Sequence, residues 1–350
     1  MNQDTDLHPT PTINDIARVA EVSLATVDRV LNARPGVREK TVKKVNQAIA
    51  DLGYVRDTAA ANLARGRIYN FVFILPSNDN EFLTLLEGQI SQLAIAMRHE
   101  RTRLSFVRVA AFDPVALAEA VDAIDAAKVD GVAIFGPETP SVRDSVAHLK
   151  ANGVTVVSLV ADIPSSERDH YVGVDNVAAG RTAAQLLGRF LGPRAGAVLV
   201  LTGSMLARDH LERRLGFDEV MARDFPQLKV LASLEGRDDP DLIERLLPGT
   251  LAEAPEIIGI YSSAAGNEGL LRFFATQAPS TRPVVVAHEL TPLSRRALGN
   301  GMFDAVISQD SGHLVRSAVR VMRAKSDNMP INTPQERIRI DVYLKENMPP

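Results

Sequence analysis

Apolar positions along this chain follow two rhythms. From residue 12 to 53 they recur every three to four residues, the period of a helix with one buried face. Ile13, Ile16, Ala17 and Ala20 share such a face. After a link of only Glu21-Val22-Ser23 comes a second set, Val27, Val30 and Leu31, with Ser23 suited to cap the helix that carries it. A third set, Val42, Val45, Ile49 and Leu52, runs up to Gly53, a residue type that closes helices. Three short helices are expected, the first opened by Thr12 with Asp15 in the acidic place of a capping box.

From Ile68 onward the rhythm changes. Short apolar runs at 71–75, 104–109, 131–135, 154–160, 197–201, 229–234, 257–261, 283–287 and 305–308 read as strands, and helical stretches separate most of them. Strands alternating with helices predict parallel sheets covered on both faces. A body of this length divides more easily into two lobes than it extends one sheet. The expected fold is a small all-α head followed by a two-lobed α/β body. Its ligands would bind beyond the carboxyl ends of the strands, in the cleft between the lobes.

Composition narrows the class. The 350 residues include no cysteine, which excludes disulfides, thiolate metal sites and thiol catalysis. No apolar run reaches the length of a membrane span, and the first residues lack the apolar core of a signal peptide, so a cytoplasmic protein is expected. The net charge is −4. Residues 1–67 hold 10 basic and 8 acidic residues, a net of +2, while the remainder carries −6. A slightly basic head on an acidic body hints at a module that meets phosphate.

Two short helices joined by a three-residue turn form a helix-turn-helix unit, whose second helix enters the major groove of DNA by its N-terminal end. Ser23 opens that helix. Leu24, Ala25, Thr26 and Arg29 are placed to read bases, and Asn32 to hold phosphate. Arg29 suits guanine, because its fork spans two acceptors. The same spacing also suits a plain three-helix bundle.

The residues "TINDIARVAEVSLATVDRVLNARPGVREKTVKKVNQAIADLGYVRDTAAANLARG" closely resemble the DNA-binding head of LacI-type repressors over 12–66, with the family's spacing throughout. Three positions depart from the pattern. Glu21 replaces a turn glycine and would be strained if φ is positive there. Arg38 replaces the usual cap of the third helix. Asp28 replaces a serine, and would repel phosphate or accept from a cytosine amine. The resemblance implies a disordered tail at 1–11, a head at 12–56, a hinge helix at 57–67 that orders on DNA, and an effector and dimerisation domain at 68–345. Leu63 matches the leucine that such hinges wedge into the minor groove; the alternative is a plain linker.

The body is similar to the type I periplasmic sugar-binding proteins, on "SNDNEFLTLLEGQ", "YVGVDNVAAG", "HLERRLGFDEVM" and "AVISQD". That similarity implies an effector site built from Asn78, Asp79, Phe82, Asp162, Arg213, Ser263, Glu289 and Gln309. For Arg213 and Glu289 the alternative is a structural ion pair. For Asn78, Asp79 and Gln309 it is loop capping, and for Phe82 it is core. The sugar binders' Asp-Arg pair after the fourth strand is here Val160-Ala161, with Asp162 slightly later, and the usual Asn-Asp is Ser263-Ala264. A sugar, polyol or sugar acid is the expected effector.

No phosphate-binding glycine loop, zinc-protease pattern or nucleophile elbow is present, so neither an enzyme, a cofactor nor a metal is expected. The C-terminal segment 326–350 lacks apolar heptads, so a homodimer on operator DNA is expected rather than a tetramer. The alternatives are a solute-binding protein without regulatory DNA binding, and a co-repressor-dependent regulator of a non-sugar pathway.

Overall fold

A computed structural model describes residues 11–31, 34–54, 66–77, 80–276 and 282–349. The chain divides between Arg67 and Ile68 into two compact units. The hinge segment with Leu63 lies outside the described residues, as do Asn32, Asn78 and Asp79.

The first unit contains α1 (Ile13–Val19), α2 (Leu24–Leu31) and α3 (Glu39–Leu52). Ile16, Ala20, Val27, Val45 and Ala48 form its core, with Val30, Leu31, Ile49 and Leu52 packed around them. Ile13 is 45% exposed. It is the first helical residue, before any turn that could cover it. At the start of α1, the Asp15 carboxylate accepts from the Thr12 amide at 3.0 Å and the Thr12 hydroxyl at 2.8 Å. Those bonds, with Arg18 beside it, hold the Asp15 pKa at about 2. Ser23 caps α2 through the Thr26 amide at 3.2 Å. Arg38 makes no side-chain cap on α3, and Gly53 ends it in the left-handed conformation. Glu21 has φ 53°, a strained conformation that a glycine would take without cost.

The second unit holds two sheets. The first lobe contains β1 (Tyr69–Ser77), α4 (Glu81–Ala96), β2 (Thr102–Ala110), α5 (Pro114–Asp122), β3 (Gly131–Ile134), α6 (Pro140–Ala151), β4 (Thr155–Leu159) and β5 (His170–Val172). Its strand order is β2-β1-β3-β4-β5, all parallel. The chain then crosses to the second lobe through α7 (Asn176–Leu191), β6 (Gly196–Thr202), α8 (Arg208–Asp224), β7 (Leu228–Glu235), α9 (Pro240–Glu253), β8 (Ile257–Ser262), α10 (Asn267–Ala275), β9 (Val284–His288), α11 (Pro292–Gly299) and β10 (Ala305–Ser308). From there α12 (Ser311–Ser326) returns to the first lobe, where Leu314, Val315, Ala318 and Met322 pack on Tyr69 and Phe71. After the short α13 (Thr333–Glu336), β11 (Asp341–Tyr343) pairs antiparallel with β10. The second sheet runs β11-β10-β9-β8-β6-β7.

The nine strands expected from the apolar runs are all present. The two short ones, β5 and β11, were not expected. Central strands β3 and β4 are buried at every residue, because helices cover both faces. The edge strand β2 alternates in burial instead. Helix starts are fixed by a recurrent pair, a capping side chain followed by proline, at Asp113-Pro114, Thr139-Pro140, Asp239-Pro240 and Thr291-Pro292.

Candidate functional site

On the head, Leu24, Ala25, Asp28 and Arg29 are exposed along the start and one face of α2, while Val27 turns into the core. Thr26 is half-buried and hydrogen-bonds Ser23 at 2.9 Å. Asp28 pairs with Arg34 across 3.2 Å, so its charge is offset within the head itself.

In the body, a cavity opens where the strand ends of the two lobes face each other. The first lobe contributes Pro76, Phe82, Phe112, Phe135, Gly136 and Val160, with Asn80 and Glu81. The second contributes Asp209, His210, Arg213, Asp238, Asn267, His288 and Glu289. Among the contacts that join the lobes, Asn80 Nδ2 donates to Asp238 Oδ2 at 3.4 Å, the Leu293 amide donates to Glu81 Oε2 at 3.1 Å, and Arg208 meets Glu138 at 3.2 Å.

Arg213 reaches this cavity because α7 and α8 pack without an intervening side chain. A Cβ on Gly180 would strike the carbonyl oxygen of Arg213, and one on Gly216 that of Val177. Both glycines are therefore required for close approach. The Arg213 fork is held by three groups. Nε donates to Asn176 Oδ1 at 2.9 Å, Nη1 donates to the Ser263 carbonyl at 2.8 Å, and Nη2 lies 3.6 Å from Glu289 Oε1.

Glu289 follows β9 with φ 64° and is 12% exposed. It accepts from Gln309 Nε2 at 3.0 Å. Burial pushes its pKa up from the usual carboxylate value, against the pull of Arg213. Beside it, His288 is buried and bonded to Tyr261 Oη at 2.9 Å. Burial, with Arg213 and His210 close by, holds His288 well below the ordinary histidine value.

Of the expected effector residues, Phe82, Arg213 and Glu289 line the cavity. Phe82 also belongs to the first lobe's core. Three others do not line it. The Asp162 carboxylate is taken by Arg168 and by the Ser158 hydroxyl at 2.7 Å, which turns it away from the cleft. Ser263 donates its hydroxyl to the Leu201 carbonyl. Gln309 stands behind Glu289 and orients it. Asp209, His210, Asp238, Asn80, Glu81 and His288 were not anticipated. One signal was legible: Asp209 stands four residues before Arg213, one turn away on the same helix face. Among the described residues, no cluster has the composition of a metal site, and no helix is long and apolar enough to cross a membrane.

Comparison with known proteins assigns both units. Residues 71–328 match the periplasmic binding protein domain, and residues 12–57 match the bacterial regulatory proteins of the lacI family. Catabolite control protein A of Staphylococcus aureus strain MRSA252 is 25% identical over 219 residues, 63% of this chain and 64% of that protein. The protein of that name in Streptococcus mutans serotype c is 29% identical over 173 residues, 49% of this chain and 50% of that one. The matched stretch thus spans half to just under two thirds of these relatives. Among solved structures, a solute-binding protein of Burkholderia graminis in complex with D-arabinose has a TM-score of 0.72 at 22% identity, covering 80% of this chain and 96% of that one. A glucose-galactose binding protein of Geobacillus stearothermophilus has a TM-score of 0.72 at 21% identity, covering 81% and 99%. These two likenesses concern the fold.

Proposed function

The chain belongs to the periplasmic binding protein domain family and carries a lacI-family regulatory head; from that premise we propose that it is a sequence-specific transcriptional repressor released or engaged by a small effector. The observation that carries the reading is the pairing, in one chain, of an exposed α2 face with a cavity between two lobes. Leu24, Ala25, Thr26 and Arg29 read bases in the major groove, and Asn32 and the hinge Leu63 add contacts. Asp28, held by Arg34, shifts operator preference rather than abolishing binding. Two heads of a homodimer engage the two halves of an operator.

The effector binds the cleft through Arg213, Glu289, Phe82 and their neighbours. Lobe closure transmits binding to DNA affinity, which requires that the effector prefer one lobe arrangement over the other. The second reading is a solute-binding protein, which shares the fold of the body, but it gives the head nothing to do.

The test is binding of the purified chain to its own upstream DNA at two salt concentrations, with a panel of small polar metabolites. Specific, salt-sensitive binding that one compound changes supports the reading. Absence of specific binding with every compound, while some compound still binds the body, would establish the solute-binding alternative.

A further inference from the structure

We propose that the ligand of the cleft is an amine-bearing polyol, of the amino sugar class, whose ammonium group docks on Asp209. The inference rests on the reading of the cleft as an effector site and specifies what that site takes.

Asp209 lies in the first turn of α8, and its side chain is 5% exposed. Its Oδ1 is buried with no hydrogen-bond partner, although the residue lines the cavity. Its nearest cationic candidate is His210, whose Nε2 is 3.7 Å from Oδ2, beyond hydrogen-bond reach. Folded proteins rarely leave a carboxylate oxygen so placed, because desolvation without a partner is expensive. The cavity that Asp209 lines is where a partner for this carboxylate can enter. A donor is required, and an ammonium supplies both hydrogen and charge.

The charge balance of the lining points the same way. Among the described lining residues, Asp209 and Glu289 stand beside one permanent cation, Arg213. Glu268 is set aside, being paired with Arg272 at 2.6 Å. Arg213 donates to Asn176 and the Ser263 carbonyl and lies 3.6 Å from Glu289, so its charge is already shared with an acid of the protein. The Asp209 charge contributes to the rise of the Glu289 pKa, so the two carboxylates share one electrostatic environment. A sugar acid would add another negative charge to this set. A neutral sugar could donate a hydroxyl to Asp209 but would leave the carboxylate excess uncompensated.

The remaining walls fit the other half of the ligand. Phe82, Phe112 and Phe135 present aromatic surface, which accepts both the apolar face of a sugar ring and a nearby cation. Asn80 and Asn267 place amide groups in the lining, suited to hydroxyls.

The experiment uses the full chain, with calorimetric titration and thermal shift. The probes are D-glucosamine, D-galactosamine and D-mannosamine, each beside its N-acetyl form and its parent hexose, with D-glucuronate as the acid. The expected result is that one amine binds about tenfold or more tighter than its neutral counterparts, and that Asp209→Asn removes this margin. Equal or tighter binding of a neutral or acidic member, or no binding by any amine, overturns the proposal. A second measurement needs no ligand. Asp209→Asn should raise the Tm of the free chain, because it replaces a buried carboxylate whose Oδ1 has no hydrogen-bond partner by a neutral amide; a lowered Tm overturns the assignment of Asp209 as a ligand group. Operator binding is followed in parallel. An amine that binds but leaves DNA affinity unchanged defeats the repressor reading alone, and operator release by a neutral hexose alone defeats the amine reading alone.

Discussion

The two lobes share a strand order and carry opposite chemistry to the cleft they form. In the first lobe β2-β1-β3-β4-β5, and in the second β7-β6-β8-β9-β10, follow the same pattern. The residue after β4 is Val160 and the residue after β9 is Glu289, and both have φ 64°. Each backbone amide donates to the neighbouring strand, Val160 to Val172 and Glu289 to Ile307. Each carbonyl is held by side chains, that of Val160 by Tyr171 and by Asn176 of α7, and that of Glu289 by Ser294. The strained turn, costing about 1–2 kcal/mol for an L-residue, is therefore a feature of the architecture. What differs is the side chain it presents: an apolar wall on one side, a buried acid on the other. At this turn one frame thus supplies shape from one lobe and charge from the other.

The largest effect should come from breaking the charged side. Arg213→Ala leaves Glu289 and Asn176 without their partner in a buried site, which costs about 3–5 kcal/mol. Denaturant midpoints measure it, and a loss below 1 kcal/mol would show that the second lobe's charges do not depend on one another. Glycine substitutions sharpen the comparison. Gly216→Ala drives a Cβ into the Val177 carbonyl, which only a shift of α7 against α8 relieves, so about 1–3 kcal/mol is lost. Gly136→Ala, in the first lobe's wall, meets only the side-chain end of Leu117, which can rotate aside. Its stability cost should be the smaller of the two, and it should leave Arg213 in place.

A smaller effect is expected where the lobes touch. Glu138 is 10% exposed and bridges Arg143 of its own lobe and Arg208 of the other. Glu138→Gln should favour opening by about 0.2–1 kcal/mol, the range for a partly exposed pair. A rise in radius of gyration by solution scattering would register it, and no change at any effector concentration would show that this bridge does not hold the lobes together.

The same contrast explains what could be read from the chain in advance. Buried parallel strands announce themselves as continuous apolar runs, and nine did so. The three-residue strands β5 and β11 carry too few residues for any period to show. Arg213 and Glu289 stood at motif positions, but Asp238 reaches the cleft on a turn in which Arg237 and Asp238 take φ 53° and 58°. Nothing in those residue types announces a left-handed turn. Asp162, Ser263 and Gln309 lie near strand ends, where cleft residues are expected, yet each is claimed by a neighbour. Proximity to the cleft was legible, whereas the direction of a side chain depended on partners distant in sequence.

The last prediction concerns protons, and it separates the lobes by sign. Glu289 has a folded pKa above its ordinary value, chiefly through burial. Its contribution to stability is fully present below the unfolded value of 4.5, and is lost as pH rises through the folded pKa. Val160, its counterpart, contributes no titration. In the first lobe, Asp162 behaves oppositely. Arg168, Ser158 and the Ile163 amide outweigh its burial and lower its pKa, so its contribution is present above 3.8 and is lost as pH falls through the folded value. Glu289→Gln should therefore lose less stability than the unaltered chain as pH rises from 4.5, and Asp162→Asn should lose less as pH falls below 3.8. Thermal melts across that range read both. Parallel pH profiles for Glu289→Gln and the unaltered chain would mean that Arg213 offsets the burial of the acid, and the asymmetry between the lobes would then be one of shape alone.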